Sequence, residues 1–198
     1  MSIKSHYTLL CEKKDVFGKR ENKKIKAEGK LIVDLYFKDS SAFHMVTDLK
    51  FFKSLIVNPT FLTQVVEIQY EGKKYHAVAK AVNFDSLYKD VFSVEYAEIK
   101  PDCLVEYIAP VQIINHDKCV GIKRGGKVVQ YAHEVRLKAL PKDMVDRVIF
   151  NLDGVEYGNK LFVRKAENLN QGIKIVHDIM VAKIVGRVKA DAEQKPAA

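Results

Sequence analysis

The stretch Gly18-Lys19-Arg20-Glu21-Asn22-Lys23-Lys24-Ile25-Lys26-Ala27-Glu28-Gly29-Lys30-Leu31-Ile32-Val33-Asp34-Leu35-Tyr36-Phe37 changes its hydrophobic period half-way along. From Arg20 to Glu28 the pattern predicts a short helix that Gly29 ends. Lys19, Lys23 and Lys26 stand at i, i+4 and i+7, so they share one face if the helix begins by Lys19, with Arg20 and Lys24 beside them. Only Ile25 and Ala27 offer apolar surface, and the broad stripe that fixes most surface helices is missing. Past Gly29 the period becomes two: Leu31, Val33, Leu35 and Phe37 alternate with Ile32, Asp34, Tyr36 and Lys38, as in a half-buried strand. Two readings of the helix stand side by side. It is a solvated element with interspersed charges, or a basic helix that packs on phosphates.

The same segment concentrates the charge of the chain. Of 198 residues, 33 are Lys or Arg and 25 are Asp or Glu, a net charge of +8. Residues 11–30 hold eight of the basic side chains and four of the acidic ones, half of the surplus in a tenth of the length. A surplus of this kind favours an acidic partner: nucleic acid, an anionic membrane surface or an acidic protein. The longest unbroken hydrophobic run is the four residues Ile179 to Ala182, against roughly 20 for a membrane-spanning helix. The first residues carry neither a signal core nor an Arg-rich transit pattern. Cys11, Cys103 and Cys119 form an odd set without C-x-x-C spacing, which fits reduced thiols buried as small hydrophobes in a cytosol.

Strands dominate the rest. Thr47 or Asp48 can cap a helix running to about Val57, which Asn58-Pro59 ends. Val65 to Glu71, a turn at Glu71-Gly72, and Lys74 to Val82 read as a hairpin. Val91 to Ile99 alternates, with Phe92, Val94 and Tyr96 opposite Ser93 and Glu95. Lys100-Pro101-Asp102 marks a domain boundary, dividing residues 1–99 from 100–188, and residues 189–198 read as a disordered tail. Beyond the boundary, Leu104–Asn115, Val128–Leu140, Arg147–Leu152, Lys160–Val163 and Ile173–Arg187 are β-rich. Residues 1–99 hold 16 basic and 13 acidic side chains, and residues 100–198 hold 17 and 12. The second half is thus also basic, more diffusely.

Catalytic patterns fail on inspection. Gly121 to Lys127 has the spacing of a phosphate-binding loop, but Val128 replaces the hydroxyl that would hold magnesium. Val128-Val129-Gln130-Tyr131 also reads as a strand where such a loop requires a helix N-terminus. The six histidines show no metal-ligand spacing, and no G-x-S-x-G elbow occurs. The reading is a binding protein without catalytic residues, metal or cofactor. Lys74, His76, Val78 and Lys80 on one strand face, with Ser93 and Glu95 on another, suggest a polar sheet face beside the lysine-rich helix. That is a platform suited to duplex RNA.

Several stretches together resemble a known family. They are Glu12-Lys13-Lys14, Gly18-Lys19-Arg20 through Lys30, the strand ending at Tyr36, the hairpin Ile68 to Val82 with Asn83-Phe84-Asp85, and Val91 to Ile99. Ala109-Pro110-Val111, Gly121 to Gly126, Leu140-Pro141, Leu152-Asp153-Gly154, Gly158 and Leu161 continue the match. In this order they resemble the 5S-rRNA-binding protein of the bacterial large ribosomal subunit, in its two-domain general-stress-protein form, over about residues 7–188. The resemblance implies a mainly-β fold, a six-stranded β-barrel with short helices followed by a second mostly-β domain. It implies a structural, ribosome-associated, cytoplasmic protein that binds 5S rRNA at the central protuberance, beside neighbouring ribosomal proteins and with no membrane or small-molecule partner. Carried over residue by residue, its RNA contacts fall on Lys14, Lys19, Asn22, Lys23, Lys24, Lys26, Tyr36, Lys80, Ser93 and Glu95.

The chain departs from that family at instructive places. Lys23, Lys24 and Lys26 stand where arginines are usual, which keeps the charge and loses the bidentate fork. Asn22 replaces a common Ser, Arg20 a small residue, Ile32 a Pro, Ser93 a His and Glu95 an Asp, while Ala81 removes a frequent acid. These changes imply binding that is more electrostatic and less base-specific. They also motivate an alternative, a stress-response or protein-interaction module that retains the fold with weakened RNA selectivity.

Overall fold

The computed structural model describes residues 5–14, 18–85 and 90–186. The first half holds β1 (Tyr7–Leu10), β2 (Glu12–Lys13), α1 (Lys19–Ala27), β3 (Lys30–Tyr36), β4 (Ala42–Asp48), α2 (Leu49–Ile56), β5 (Val65–Tyr70), β6 (Lys73–Phe84) and β7 (Val91–Glu98). The second holds β8 (Val105–Ile114), α3 (Val120–Lys123), β9 (Lys127–Gln130), β10 (Glu134–Ala139), β11 (Val148–Asn151), β12 (Lys160–Phe162), β13 (Lys174–Ile175) and β14 (Met180–Val185). The tail expected at 189–198 lies outside the described residues.

The first sheet runs β1-β5-β6-β7-β3-β4-β2. Its two edges are consecutive in sequence, separated only by Cys11. β1 pairs in parallel with β5, and β2 pairs antiparallel with β4, so the segment Tyr7–Lys13 serves as one strand bridging both edges. Counted this way the barrel has the six strands expected. Closure removes the exposed backbone edges that an open sheet would leave. At the break the Thr47 hydroxyl donates to the Leu10 carbonyl. Burial pushes the Cys11 thiol up to about 12 there.

Inward positions fill the barrel. Leu31, Val33 and Leu35 of β3 meet Met45, Ile68, Ala77, Ala79, Val94 and Tyr96, all essentially inaccessible. Asp48 caps α2 by accepting from Lys50 N and Phe51 N. That helix turns Leu49 and Phe52 into one barrel end, where Phe52 meets Phe61 edge-on at 5.1 Å and Tyr7 stacks on Phe61 at 6.0 Å. At the opposite end, where β3–β4 and β5–β6 turn, Phe37, Phe43, Tyr70 and Tyr75 form an aromatic cluster. The β5–β6 hairpin turns through Glu71 and Gly72, both with positive φ (47° and 75°), the geometry of a tight two-residue connection.

Two bulges change faces that alternation alone assigned. In β7, Phe84 pairs with Val91 and Asn83 with Ser93, leaving Phe92 over. Phe92 is therefore 39% exposed while Val91 is buried, contrary to the expectation that Phe92 joins Val94 and Tyr96. In β6, Ala79 pairs with Tyr96 and Ala81 with Glu95, so Lys80 is the extra residue. Lys74, His76, Val78 and Lys80 accordingly do not form one polar face. Val78 points away from the barrel interior and is fully buried, in a core shared with the second half.

That second core also takes Val65 and Ile99 and centres on Tyr107, Leu137, Phe150, Leu152 and Ile184. Two sheets surround it, β11-β8-β10-β13 and β12-β14-β9. The β-rich run Val128–Leu140 forms two strands in different sheets. It crosses at Tyr131 and Ala132, whose N–H groups both donate to Val181 O, before His133 O accepts from Val111 N. The β-rich run that begins at Ile173 likewise holds two strands, β13 and β14. A period of two reports which face a residue takes, not which sheet it joins. Cys119 is buried as expected and donates to Val155 O. Cys103 instead lies partly exposed, 3.0 Å from Lys38 Nζ.

The Gly121–Lys127 loop is a packing device. Lys127 opens β9 directly. The ring of Tyr157 lies against Gly126 and Gly186, and its hydroxyl donates to Arg124 O. A Cβ on Gly126 would collide with that ring and lie 2.8 Å from Gly121 O and 3.0 Å from Val185 O. Gly126→Ala should therefore lower stability by about 1–3 kcal/mol through overpacking. Urea denaturation checks this; an unchanged midpoint would show that the ring and loop yield freely.

Candidate nucleic-acid interface

The outer face of the barrel beside α1 is organised in rows by strand register. The first row is Asn83, Ser93, Ile32 and Val46, across β6, β7, β3 and β4. The second is Ala81, Glu95, Asp34 and His44, and the third holds Ala97, Tyr36 and Ala42. The helix α1 packs on β3. It explains why Ile32 and Ser93, both outward, are only 5% and 6% exposed.

α1 buries none of its own residues fully. A nine-residue helix of this kind is marginal alone, and the sheet supports it through half-buried Ile25 and an ion pair from Lys26 Nζ to Asp85 Oδ2 at 3.0 Å. Lys24 pairs within the helix with Glu21 at 2.8 Å. Lys19 and Lys23 are exposed, and among the described residues neither enters an ion pair. Asn22 turns toward the sheet with its Oδ1 buried and lacking a hydrogen-bond partner among the described residues.

Acceptors and donors line the sheet itself. Asn83 Nδ2 lies 3.1 Å from both Ser93 Oγ and Glu95 Oε1. His44 Nδ1 lies 2.6 Å from Asp34 Oδ1. Desolvation first, and then the Glu95 and Asp34 carboxylates, raise the Tyr36 phenol above its ordinary value, so it stays a neutral donor near neutrality. The bulged Lys80 leans over the Tyr36 ring, 5.9 Å from its centroid.

The expected site residues thus fall into three groups. Lys19, Asn22, Lys23, Lys24 and Lys26 come together on α1, and Glu95, Tyr36 and Lys80 on the adjoining sheet. Ser93 is shielded beneath α1 and holds Asn83 instead of facing solvent. Lys14 follows β2, is 8% exposed and bonds through its N–H to His44 O. Asn83, Asp34 and His44 belong to the strip and were not singled out as contacts. Alternation places Asp34 beside Tyr36, but only the register sets His44 opposite Asp34 and Asn83 between Ser93 and Glu95.

Comparison with known proteins bears on the same chain. Residues 104–188 match the family model described as ribosomal protein TL5, C-terminal domain. Over 193 residues the chain is 28% identical to large ribosomal subunit protein bL25 of Mesorhizobium japonicum, covering 95% of this chain and 90% of that one. The protein of the same name from Zymomonas mobilis is 28% identical over 171 residues, covering 86% and 77%. That from Chlamydia pneumoniae is 29% identical over 126 residues, covering 62% and 68%. Along most of its length the chain is thus similar to large ribosomal subunit proteins named bL25, and its second half matches the TL5 C-terminal domain. Each of these relatives is by name a protein of the large ribosomal subunit. The family model covers β8 to β14, whereas the longer alignments also take in the barrel and α1.

Proposed function

We propose that the chain is a non-catalytic constituent of the bacterial large ribosomal subunit, ribosome-associated in the cytoplasm, and that it binds 5S rRNA at the central protuberance. Residues 1–99 form the RNA-binding unit and residues 100–188 a second β unit. The observation that carries this reading is the junction of Lys19 and Lys23 on α1, exposed and without an ion pair among the described residues, with the Asn83–Glu95–Asp34–Tyr36 strip beside it. The name shared by the relatives, large ribosomal subunit protein bL25, supports the association with that subunit.

An A-form duplex suits such a surface. Its wide, shallow minor groove displays 2′-hydroxyls and base edges, and phosphates flank it. The Glu95 and Asp34 carboxylates accept from 2′-hydroxyls and from guanine amino groups, and Tyr36 and Asn83 donate. Lys19, Lys23, Lys24 and Lys80 meet phosphates as point charges, while Lys26 and Ser93 hold the helix and Asn83 in position. Lysines without the arginine fork make the contact mainly electrostatic.

Footprinting of 5S rRNA with the full chain tests this. Protection of one short helical segment is expected, and Glu95→Lys, which removes an acceptor without removing cations, should abolish it. A chain that sediments with large subunits at physiological salt yet protects no 5S nucleotide would sink the 5S assignment.

A further inference from the structure

A second cationic face lies on the three-stranded sheet β12-β14-β9, away from every residue assigned to the barrel site. Lys160 stands opposite Lys183, Lys183 opposite Val129, and Val185 opposite Lys127. Directly opposed residues of an antiparallel pair point to the same side. The alternate set, Leu161, Ala182 and Ile184, fills the core, so Lys127, Lys160 and Lys183 share the outer face. Like charges directly opposite each other destabilise a sheet. An acid beside them normally offsets this, yet strands β9, β12 and β14 contain no Asp or Glu.

Among the described residues none of these three lysines enters an ion pair, whereas Lys30, Lys53, Lys74 and Lys138 each have a carboxylate partner. Exposed Lys123 and Arg124 precede the same strand. A sheet face that retains an uncompensated repulsion is organised for an anion outside the chain.

We propose that this face binds the phosphate backbone of ribosomal RNA at a site separate from the barrel strip. The inference rests on the ribosomal reading above, in that it takes the large subunit as the surroundings of the chain. Lysines act as point charges on flexible stems and meet phosphates at variable spacing. Val129 and Val185 lie between the lysines and the partly buried Phe162–Met180 pair borders them, so the exposed character of the face is set by its cations, which suits phosphates more than the apolar centre of a protein interface.

The test uses the full chain carrying Lys127→Gln, Lys160→Gln and Lys183→Gln together. Affinity is measured across a salt series for large subunits stripped of their own copy, for protein-free large-subunit RNA and for free 5S rRNA. With subunits and with protein-free RNA, the slope of log affinity against log salt should become shallower by about two to three, near one for each lysine. The 5S footprint should stay as in the parent, and the melting temperature should hold or rise, because a repulsion has been removed. An unchanged slope overturns the proposal, as does a melting temperature several degrees lower, which would make the lysines structural. A slope change confined to subunits and absent from protein-free RNA overturns it in favour of an acidic protein neighbour. Loss of the 5S footprint in the parent chain would instead count against the barrel reading alone.

Discussion

Alanine at Lys19, Lys23 and Lys24 together should lower the affinity for 5S rRNA roughly a hundredfold near physiological salt, with a salt slope shallower by about two to three. The size follows from counterion release: each phosphate contact removed takes roughly 0.7–0.9 from the slope. Among the described residues Lys19 and Lys23 enter no ion pair that would neutralise their charge in the free protein, so their effect is available to RNA. Lys24 is held at 2.8 Å by Glu21, and its loss leaves Glu21 unpaired near the phosphates, which adds repulsion. The fold should not suffer, because alanine is the best helix former at exposed positions. Circular dichroism separates the two effects. A triple variant that keeps its helix and binds 5S rRNA with the parent slope would remove α1 from the interface.

Phe52→Ala should produce the largest stability loss among single changes to the barrel, about 3–5 kcal/mol. Phe52 is fully buried, is the deepest side chain of α2 and meets Phe61 edge-on. Its removal empties the plug at one barrel end, where Tyr7, Phe61 and the strands around them are already committed to other contacts and cannot close the gap. Against a net stability of roughly 5–15 kcal/mol for a protein domain, such a loss leaves little margin. Urea titration reads it directly, and a loss below about 1 kcal/mol would mean that the end of the barrel collapses around the hole. The variant should regain RNA binding wherever it remains folded, since no atom of Phe52 reaches the outer face.

Much of this was legible in the chain itself, for a physical reason. Local rules govern the switch from a helical to an alternating period at Gly29, the Asp48 cap and the Glu71-Gly72 turn, and each depends on only a few neighbouring residues. The concentration of lysines in residues 19–26 was equally plain, because charge is read by counting. By contrast, Phe92 and Lys80 fell on the wrong faces, since a bulge arises from pairing with a partner strand and leaves no mark on alternation. The division of the β-rich run Val128–Leu140 into β9 and β10 is not marked in it either, because the assignment of strands to separate sheets is a long-range matter.

The sequence by itself determined a mainly-β protein with a basic helix beside a polar strand, because periodicity and charge are properties of short segments. Only the tertiary structure decided how those segments meet. It joined β1 and β2 into the strand that closes the barrel, put Asn83, Asp34 and His44 into the strip, covered Ser93, and set Lys160 against Lys183. Each of those depends on register between residues far apart in the chain, and register is settled by which buried faces fit together.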